Sequence, residues 1–362
     1  HLGRLRPLPR GLTRLAAMRA ETGAKRRKAV RRAVASLCVA AVIAALIVTD
    51  LFFFPFGLLR ARAGAPEIPL RAEGEMRVHI VDVGQGDCAI VEFPDGSSMM
   101  IDGGDGTPAH TRAVIGYCMA LGIERFGSVL LTHPDSDHAG GLDAVLSAFG
   151  AERIYLPMRF PAESGEEEYA GFFAAAEDSG AELIRTRALI PVLPEEDGPF
   201  YYGMFLSPLL PHGDAESDNE DSAVLYLEYA GRRFLFTGDA PVSVEESIAR
   251  AYTETEGEVF TRTVQTGYGT FTLSPALADI DFFKAGHHGS ASSNGAALLS
   301  LCRPAEFFIS CGAGNSYGHP SLTAIGNVLA ASPDARILRT DELGSIMISV
   351  RADGSYDVRA VG

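Results

Sequence analysis

The chain has no CxxC pair. Its five cysteines stand apart at Cys38, Cys88, Cys118, Cys302 and Cys311, which excludes a zinc ribbon and a thioredoxin-type site. Cys88 and Cys118 lie in apolar stretches and read as core residues. There is no internal repeat and no low-complexity tract. Lysine is nearly missing from the long C-terminal part, where Lys284 is the only one after residue 64. Residues 65–362 carry 18 basic against 44 acidic side chains, whereas residues 1–64 carry thirteen Lys/Arg against Glu21 and Asp50 alone. So acidic a body argues against general binding of long polyanions, which are held through Lys/Arg contacts. No G-x-S-x-G elbow is present, so Gly289-Ser290-Ala291-Ser292 beside His288 does not read as a serine nucleophile. Gly84-Gln85-Gly86-Asp87 follows a strand but runs into a second strand at Ala89-Ile90-Val91. It therefore lacks the helix N-terminus that a dinucleotide loop needs.

What is present starts at the join between the two charge regimes. Ala33–Thr49 is uncharged, and after Asp50 the apolar run continues to Leu59. That length suffices to cross a bilayer as one helix. Lys25, Arg26, Arg27, Lys28, Arg31 and Arg32 stand just before it, and the positive-inside rule predicts a cytoplasmic N-terminus with the acidic body outside. A cleaved signal peptide is the competing reading, because Ala61-Arg62-Ala63 resembles a small-residue cleavage site. The length of the run favours an uncleaved anchor. The expected organisation is a basic tail (1–32), a transmembrane anchor (33–59), a Pro/Gly-bearing linker (60–75) and one folded domain (76–362).

Within that domain, strand-like runs are expected at Met76–Val83, Cys88–Phe93 and Ser98–Ile101, then a helix at Thr107–Leu121. Residues 161–200 are acidic and irregular, with one helix around Tyr169–Ala176. Strands are expected again at Gly203–Ser207, Ala223–Tyr229, Arg233–Thr237, Asp279–Ala285, Glu306–Ser310, Arg336–Arg339 and Ser345–Val350. Helices are expected at Pro241–Ala251 and Leu322–Ala331. Such a chain builds two sheets flanked by helices, an α+β arrangement.

The densest chemistry lies in LLTHPDSDHAGG, residues 130–141, which places His133, Asp135, Asp137 and His138 between a buried strand and a helix beginning near Leu142. A polar turn with Asp137 as N-cap would need only one of these four metal-competent groups. Strand ends are where α/β sites gather, and three more offer ligands: Asp239 in FLFTGDA, His287 and His288 in FFKAGHHGS, and His319 in NSYGHPS. His319 reads equally well as a structural histidine. His79, His110 and His212 show no ligand spacing. Asp102 in MMIDGGDG ends a strand and reads as a hydrogen-bonding brace of the metal loop.

HPDSDHAGG, TGD, AGHHGS and YGHPS, in that order after VDVGQGDC and IDGG, resemble the metallo-β-lactamase superfamily. In particular they are similar to the extracytoplasmic hydrolase domain of the ComEC family of DNA-uptake proteins, over roughly residues 76–350. The resemblance implies an αββα four-layer sandwich behind the N-terminal transmembrane helix, and two divalent ions. A ligand set without thiolate suits zinc, or manganese given its many oxygens. By this likeness His133 and Asp135 hold one ion, Asp137 and His138 the other, Asp239 bridges them, and His287 joins the second. Asp82 and Asp102 support the ligands. Lys284, His288 and His319 stabilise or protonate the substrate alongside Asp137. The superfamily's further histidine, before the bridging aspartate, has no counterpart here; ESDNEDSAVLYL offers Asp218, Asn219 or Asp221 instead. The many membrane helices of a ComEC transporter are also missing, so no DNA channel is expected. The implied substrate is a phosphodiester, in nucleic acid or in a small or cell-wall molecule. The other reading is a non-catalytic surface protein that keeps the fold. No protein partner can be inferred.

Overall fold

The computed structural model describes residues 10–53, 58–159, 169–194, 200–209, 217–267 and 269–361. His212, part of the expected anchor (54–57) and parts of the acidic stretch (160–168, 195–199) lie outside the described residues. The chain divides into two units, 1–59 and 60–362.

Among the described residues, the first unit holds a helix of 44 residues, Arg10–Phe53. It runs unbroken through the basic cluster, so the helix begins well before the expected span. Its segment Lys25–Leu46 has a hydropathy of 1.9 with none of its window buried. Val34, Leu37, Val42 and Leu46 all present more than half their surface. By length and composition this helix can cross a membrane.

The second unit is built on alternation. In the strand Arg232–Phe236, Phe234 and Phe236 enter one core while Leu235 enters another. Phe282 and Phe308 likewise part from Phe283 and Phe307. This two-residue period requires apolar cover on both faces of a sheet. An eight-stranded sheet runs Tyr356–Val361, Ser345–Val350, Met76–Ile80, Ala89–Glu92, Ser98–Ile101, Phe126–Leu130, Ala151–Leu156, Glu182–Arg185. A seven-stranded sheet runs Arg336–Arg339, Glu306–Ile309, Phe282–Lys284, Arg232–Phe236, Leu225–Tyr229, Tyr201–Phe205, Pro191–Val192. Between them Val78, Val91, Leu130 and Tyr155 of the first meet Phe205, Leu227, Phe234 and Phe282 of the second. Each buried aromatic there contributes about 1.5–3 kcal/mol.

Ile90, Met100 and Val129 point to the outer face of the first sheet and are also buried. The helices Pro108–Leu121 and Leu142–Phe149 supply Val114, Ile115, Val145 and Leu146 on that side. The second sheet's outer face carries the helices Val242–Glu254, Ala296–Cys302 and Leu322–Ala331 through Ile248, Leu298, Leu299 and Val328. The result is the αββα sandwich.

Strands Ser98–Ile101, Leu322–Ala331's neighbour Arg336–Arg339, and Ser345–Val350 lie at their expected bounds. The strands Ala151–Leu156, Glu182–Arg185 and Tyr356–Val361, the helix Ala296–Cys302 and a two-stranded hairpin, Arg262–Thr266 with Gly269–Leu273, had no expectation. Glu182–Arg185 is an edge strand without a fully buried residue, which is why no apolar run announces it. Residues 60–75, expected as a linker, pack onto the body: Ala61 is buried, and Arg71 donates to Phe93 O at 2.5 Å.

The topology positions the site. Ser98–Ile101, Phe126–Leu130 and Ala151–Leu156 are parallel, as are Arg232–Phe236, Phe282–Lys284, Glu306–Ile309 and Arg336–Arg339. The loops that leave their carboxyl ends carry the candidate ligands.

Candidate metal centre

Asp102 follows its strand with φ of 59°, a left-handed conformation that Asp tolerates better than most residues. Its Oδ1 accepts Thr132 N at 2.8 Å, and its Oδ2 accepts the Thr132 hydroxyl at 2.7 Å and His138 Nδ1–H at 2.8 Å. That last bond leaves the lone pair of His138 on Nε2, facing Asp239 Oδ1 at 3.2 Å. The Thr132 hydroxyl also receives His133 Nδ1–H at 3.1 Å. His133 Nε2 then faces Asp135 Oδ2 at 3.5 Å and Asp239 Oδ2 at 3.9 Å. One aspartate and one threonine thus orient both histidines, as partners of metal-ligating imidazoles do.

The loop is pressed against its neighbours. A Cβ on Gly86, whose φ is 155°, would come within 2.5 Å of Asp137 O, and one on Gly141 within 2.2 Å of Gly103 O. Asp137 sits inside the one-turn helix Ser136–Ala139, and the helix Leu142–Phe149 begins from Gly141 without a side-chain cap. The capping alternative for Asp137 therefore fails. Its carboxylate lies instead 3.1 Å from His288 Nε2.

His287 and His288 both adopt left-handed backbone, φ 48° and 54°, at a cost of about 1–3 kcal/mol each. Asn294 holds that conformation. Its Oδ1 accepts Gly286 N at 3.0 Å, and its Nδ2 donates to Gly286 O at 2.9 Å and Ser290 O at 3.2 Å. Buried Glu245 anchors Asn294 in turn, accepting Asn294 N at 2.8 Å and Gly295 N at 2.5 Å. Burial pushes the Glu245 carboxyl up to about 7 against the opposing pull of those two N–H groups.

The loop delivers two rings to Asp239. His287 Nε2 is 3.5 Å from Asp239 Oδ2. His288 donates Nδ1–H to Ser310 O at 3.1 Å, and its Nε2 lies 3.8 Å from Asp239 Oδ2. On geometry His288 is as well placed to be a ligand as His287, although the sequence assigned it to substrate.

The donor set fits metal ions. Among the described residues, the buried atoms His133 Nε2, His138 Nε2, Asp239 Oδ1 and Asp87 Oδ1 have no hydrogen-bond partner. An unsatisfied buried polar atom costs about 1–3 kcal/mol. Two groups gather ligand atoms within 4.8 Å of one another: His133, His138 and Asp239; and Asp87, His138 and His288. Burial alone would drive these groups neutral, yet Asp239 and Asp102 raise the His138 imidazole well above its usual range. Asp87 and Asp239 outweigh burial at His288, bringing it to about 9. Asp239 is held far below the usual carboxylate range by His138 and His288. The carboxylates thus favour positive charge at their centre, a condition that cations meet.

Other expected residues are placed differently. Lys284, expected to face substrate, is buried, with Nζ 2.8 Å from Asp87 Oδ2 and 3.0 Å from Ala285 O. Asp82 accepts Gly84 N at 3.0 Å and supports that turn rather than a ligand. Asp221 is buried beside Arg159 at 3.0 Å, and Asp218 is exposed. Of the three candidates for the missing histidine, Asn219 comes nearest, with Nδ2 3.5 Å from His287 Nδ1. Asp135, half-exposed, has its carboxyl lowered chiefly by the hydrogen bond with His133. His319 is half-buried, its ring 5.6 Å from that of His287.

Asp87 was not among the expected site residues and entered the sequence reading only within the rejected dinucleotide motif. The signal was Lys284: a lone lysine ending an apolar strand needs a carboxylate if it is buried. A cavity of about 600 Å³ beside Arg71, Arg77, Glu92 and Arg125 is lined by none of the ligands. Its arginines are committed to backbone, Arg77 to Pro69 O and Leu70 O and Arg125 to Ser179 O.

Four strand-end loops converging a His/Asp cluster on the rim of an αββα sandwich define a class. The profile of the metallo-beta-lactamase superfamily matches residues 81–312, and the chain belongs to that superfamily. Among curated proteins it is similar to ComE operon protein 3 of Bacillus subtilis (strain 168), a competence protein of the ComEC family. They are 26% identical over 331 residues, covering 87% of this chain and 36% of that protein. Recombination protein 2 of Haemophilus influenzae is 27% identical over 248 residues, covering 67% of this chain and 25% of that protein. The chain therefore spans between a quarter and about a third of the length of these relatives. Among solved structures it matches Igni18, a metallo hydrolase from Ignicoccus hospitalis KIN4/I, with a TM-score of 0.43 and 14% identity, over 78% of this chain and 98% of that one.

Proposed function

We propose that this chain is a membrane-anchored hydrolase of phosphodiesters that works with two divalent ions, zinc or manganese, outside the cytoplasm. The observation that carries the reading is the pair of buried, unpartnered Nε2 atoms of His133 and His138 facing the two oxygens of Asp239. Divalent ions held there supply Lewis acidity and bring the pKa of a water near neutrality. Asp239 would hold ions on both sides, its Oδ1 facing His138 and its Oδ2 facing His133, His287 and His288. Asp135 would complete the His133 side, and Asp137 with His287 or His288 the His138 side.

His319 is the hydrogen-bond donor to the leaving group in this reading. Gln85 Oε1 accepts Gly312 N at 3.2 Å, which turns Gln85 Nε2 toward His319 Nδ1 at 3.4 Å. Nδ1 is then the acceptor, and Nε2–H is the donor that can hydrogen-bond a leaving oxygen as it gains charge. Relatives named for competence and recombination direct the reading toward nucleic acid. The acidic body and its single, buried lysine favour instead a small or wall-polymer diester, the second reading.

Elemental analysis of the full chain, made with zinc or manganese supplied, is expected to find about two ions per chain. Turnover of bis(4-nitrophenyl) phosphate and metal content should both be lost in Asp239→Ala. Near-zero metal in the wild type sinks the reading. The basic flank before the helix assigns an N-in orientation. Protease added to intact cells should then remove the body and spare the N-terminus, and full protection would reverse the orientation.

A further inference from the structure

The segment that joins the apolar run to the body is not a slack tether. Leu59 closes the run, and two residues later Ala61 is buried. A Cβ on Gly116, in the helix Pro108–Leu121, would come within 2.5 Å of Ala61 O. The backbone at residue 61 therefore touches the backbone of that helix, and two residues of chain reach at most about 7 Å. Further on, the loop formed by residues 68–71 is pinned by buried Arg77, whose guanidinium donates to Pro69 O at 2.7 Å and to Leu70 O at 2.9 Å. Arg71 donates in turn to Glu75 O at 2.9 Å. On this fixed backbone the side chain of Leu70 is 97% exposed.

The loop borders the cavity of about 600 Å³, whose opposite wall includes Ala120 and Leu121 at the end of the same helix and Ile123 just after it. From Gly116 to Ala120 is about 6 Å along a helix, and one headgroup layer of a bilayer is about 5–8 Å thick. The loop and its cavity therefore open beside the point where the chain leaves the hydrocarbon. Charge permits a contact there. Residues 60–75 carry three arginines and three glutamates, in a body with 18 basic and 44 acidic side chains after position 64. The rest of the cavity wall sets Arg77 and Arg125 against Glu92 and Glu124. An anionic headgroup layer, which an acidic surface repels, meets a neutral patch at this loop.

The strands give such a contact a consequence. On the cavity side Ser98 opens one strand and Arg125 precedes another. Asp102 and Thr132 follow the far ends of the same two parallel strands. Strands of four and five residues thus hold cavity and metal centre at opposite edges of the sheet, about 13–17 Å apart.

We propose that the loop of residues 68–71 is a second membrane contact, with Leu70 seated among phospholipid headgroups and the metal centre turned away from the bilayer. The inference rests on the membrane anchor of the proposed function. One leucine binds a bilayer weakly by itself; the span supplies the proximity, and the side chain sets the orientation of the body.

The sequence contains no tryptophan, so one introduced indole reports alone. Full chains carrying Leu70→Trp, or Leu322→Trp for comparison, are reconstituted into phosphatidylcholine–phosphatidylglycerol vesicles with and without brominated acyl chains. Leu322 is 90% exposed and follows Ser321, whose N–H lies 2.9 Å from Gly289 O on the metal-centre side. Emission of Leu70→Trp should shift to the blue and be quenched by brominated lipid, while that of Leu322→Trp stays solvent-like and unquenched. Flotation of the vesicles tests the anchor on its own. Chains that float with a solvent-like, unquenched indole at position 70 overturn the inference and leave the anchor standing. Equal quenching of the two variants overturns it as well, because the affinity of indole for interfaces then accounts for both. Chains that do not float overturn the anchor and the inference together.

Discussion

Asp102→Asn tests whether the orientation of His138 underlies metal binding. The substitution keeps the backbone, because Asn tolerates the left-handed φ of 59° as Asp does. Oδ1 is retained for Thr132 N at 2.8 Å. Oδ2 becomes an NH₂ group facing two former donors, Thr132 Oγ1 at 2.7 Å and His138 Nδ1 at 2.8 Å. The hydroxyl can rotate and accept, but a protonated Nδ1 cannot. The imidazole is relieved by moving its proton to Nε2, where it points at Asp239 Oδ1, 3.2 Å away. That occupies the lone pair a metal ion requires. Losing such a partner lowers metal affinity by about 10–100-fold, or about 1.4–2.8 kcal/mol. The lost charge-assisted hydrogen bond costs stability of about 1.5–3 kcal/mol. Asp102→Ala is the harsher control. It leaves Thr132 N and His138 Nδ1 unpaired at about 1–3 kcal/mol each and adds about 1–2 kcal/mol of left-handed strain. Competition titration of zinc or manganese against a chelating indicator reads the first effect, and urea unfolding of the metal-free chain the second. An Asn variant with wild-type metal affinity refutes the orienting role.

Three other outcomes follow from the same geometry. Lys284→Met leaves the Asp87 carboxylate buried without its cation, and unfolding should show a loss of about 3–5 kcal/mol; normal stability with slowed turnover would return Lys284 to the substrate. Glu245 sits at about 7 when folded against a usual 4.5, so between those values the unfolded chain binds fewer protons. Stability is then full below about pH 4.5 and falls by ~3 kcal/mol as pH rises to about 7, at about 1.4 kcal/mol per pH unit. Glu245→Gln should flatten that slope, and an unchanged profile in urea titrations across pH would exclude Glu245 as its source. His319→Ala should keep its metal and lose turnover by about 10²–10⁴-fold; loss of an ion would make His319 a ligand.

What the sequence alone determined is what lies close along the chain. His133, Asp135, Asp137 and His138 fall within six residues between a strand and a helix, so local geometry alone brings them together. The alternation of Phe234, Leu235 and Phe236 announces a sheet covered on both faces, because side chains of a strand alternate by necessity. Asp102 was legible as a strand end. Its three hydrogen bonds were not, since Thr132 and His138 lie on another strand's loop. Only the tertiary structure pairs Lys284 with Asp87, 197 positions apart, and so turns an expected substrate contact into a buried ion pair. Only it separates Asp221, drawn to Arg159, from Asn219, beside His287. His287 and His288 are neighbours of one residue type, and their rings stand at 80° to each other because Asn294 and Glu245 hold left-handed backbone that aims each one differently. Contacts within a strand or a turn follow from covalent geometry. Contacts between distant loops follow from how two sheets pack, which depends on every residue of both cores at once.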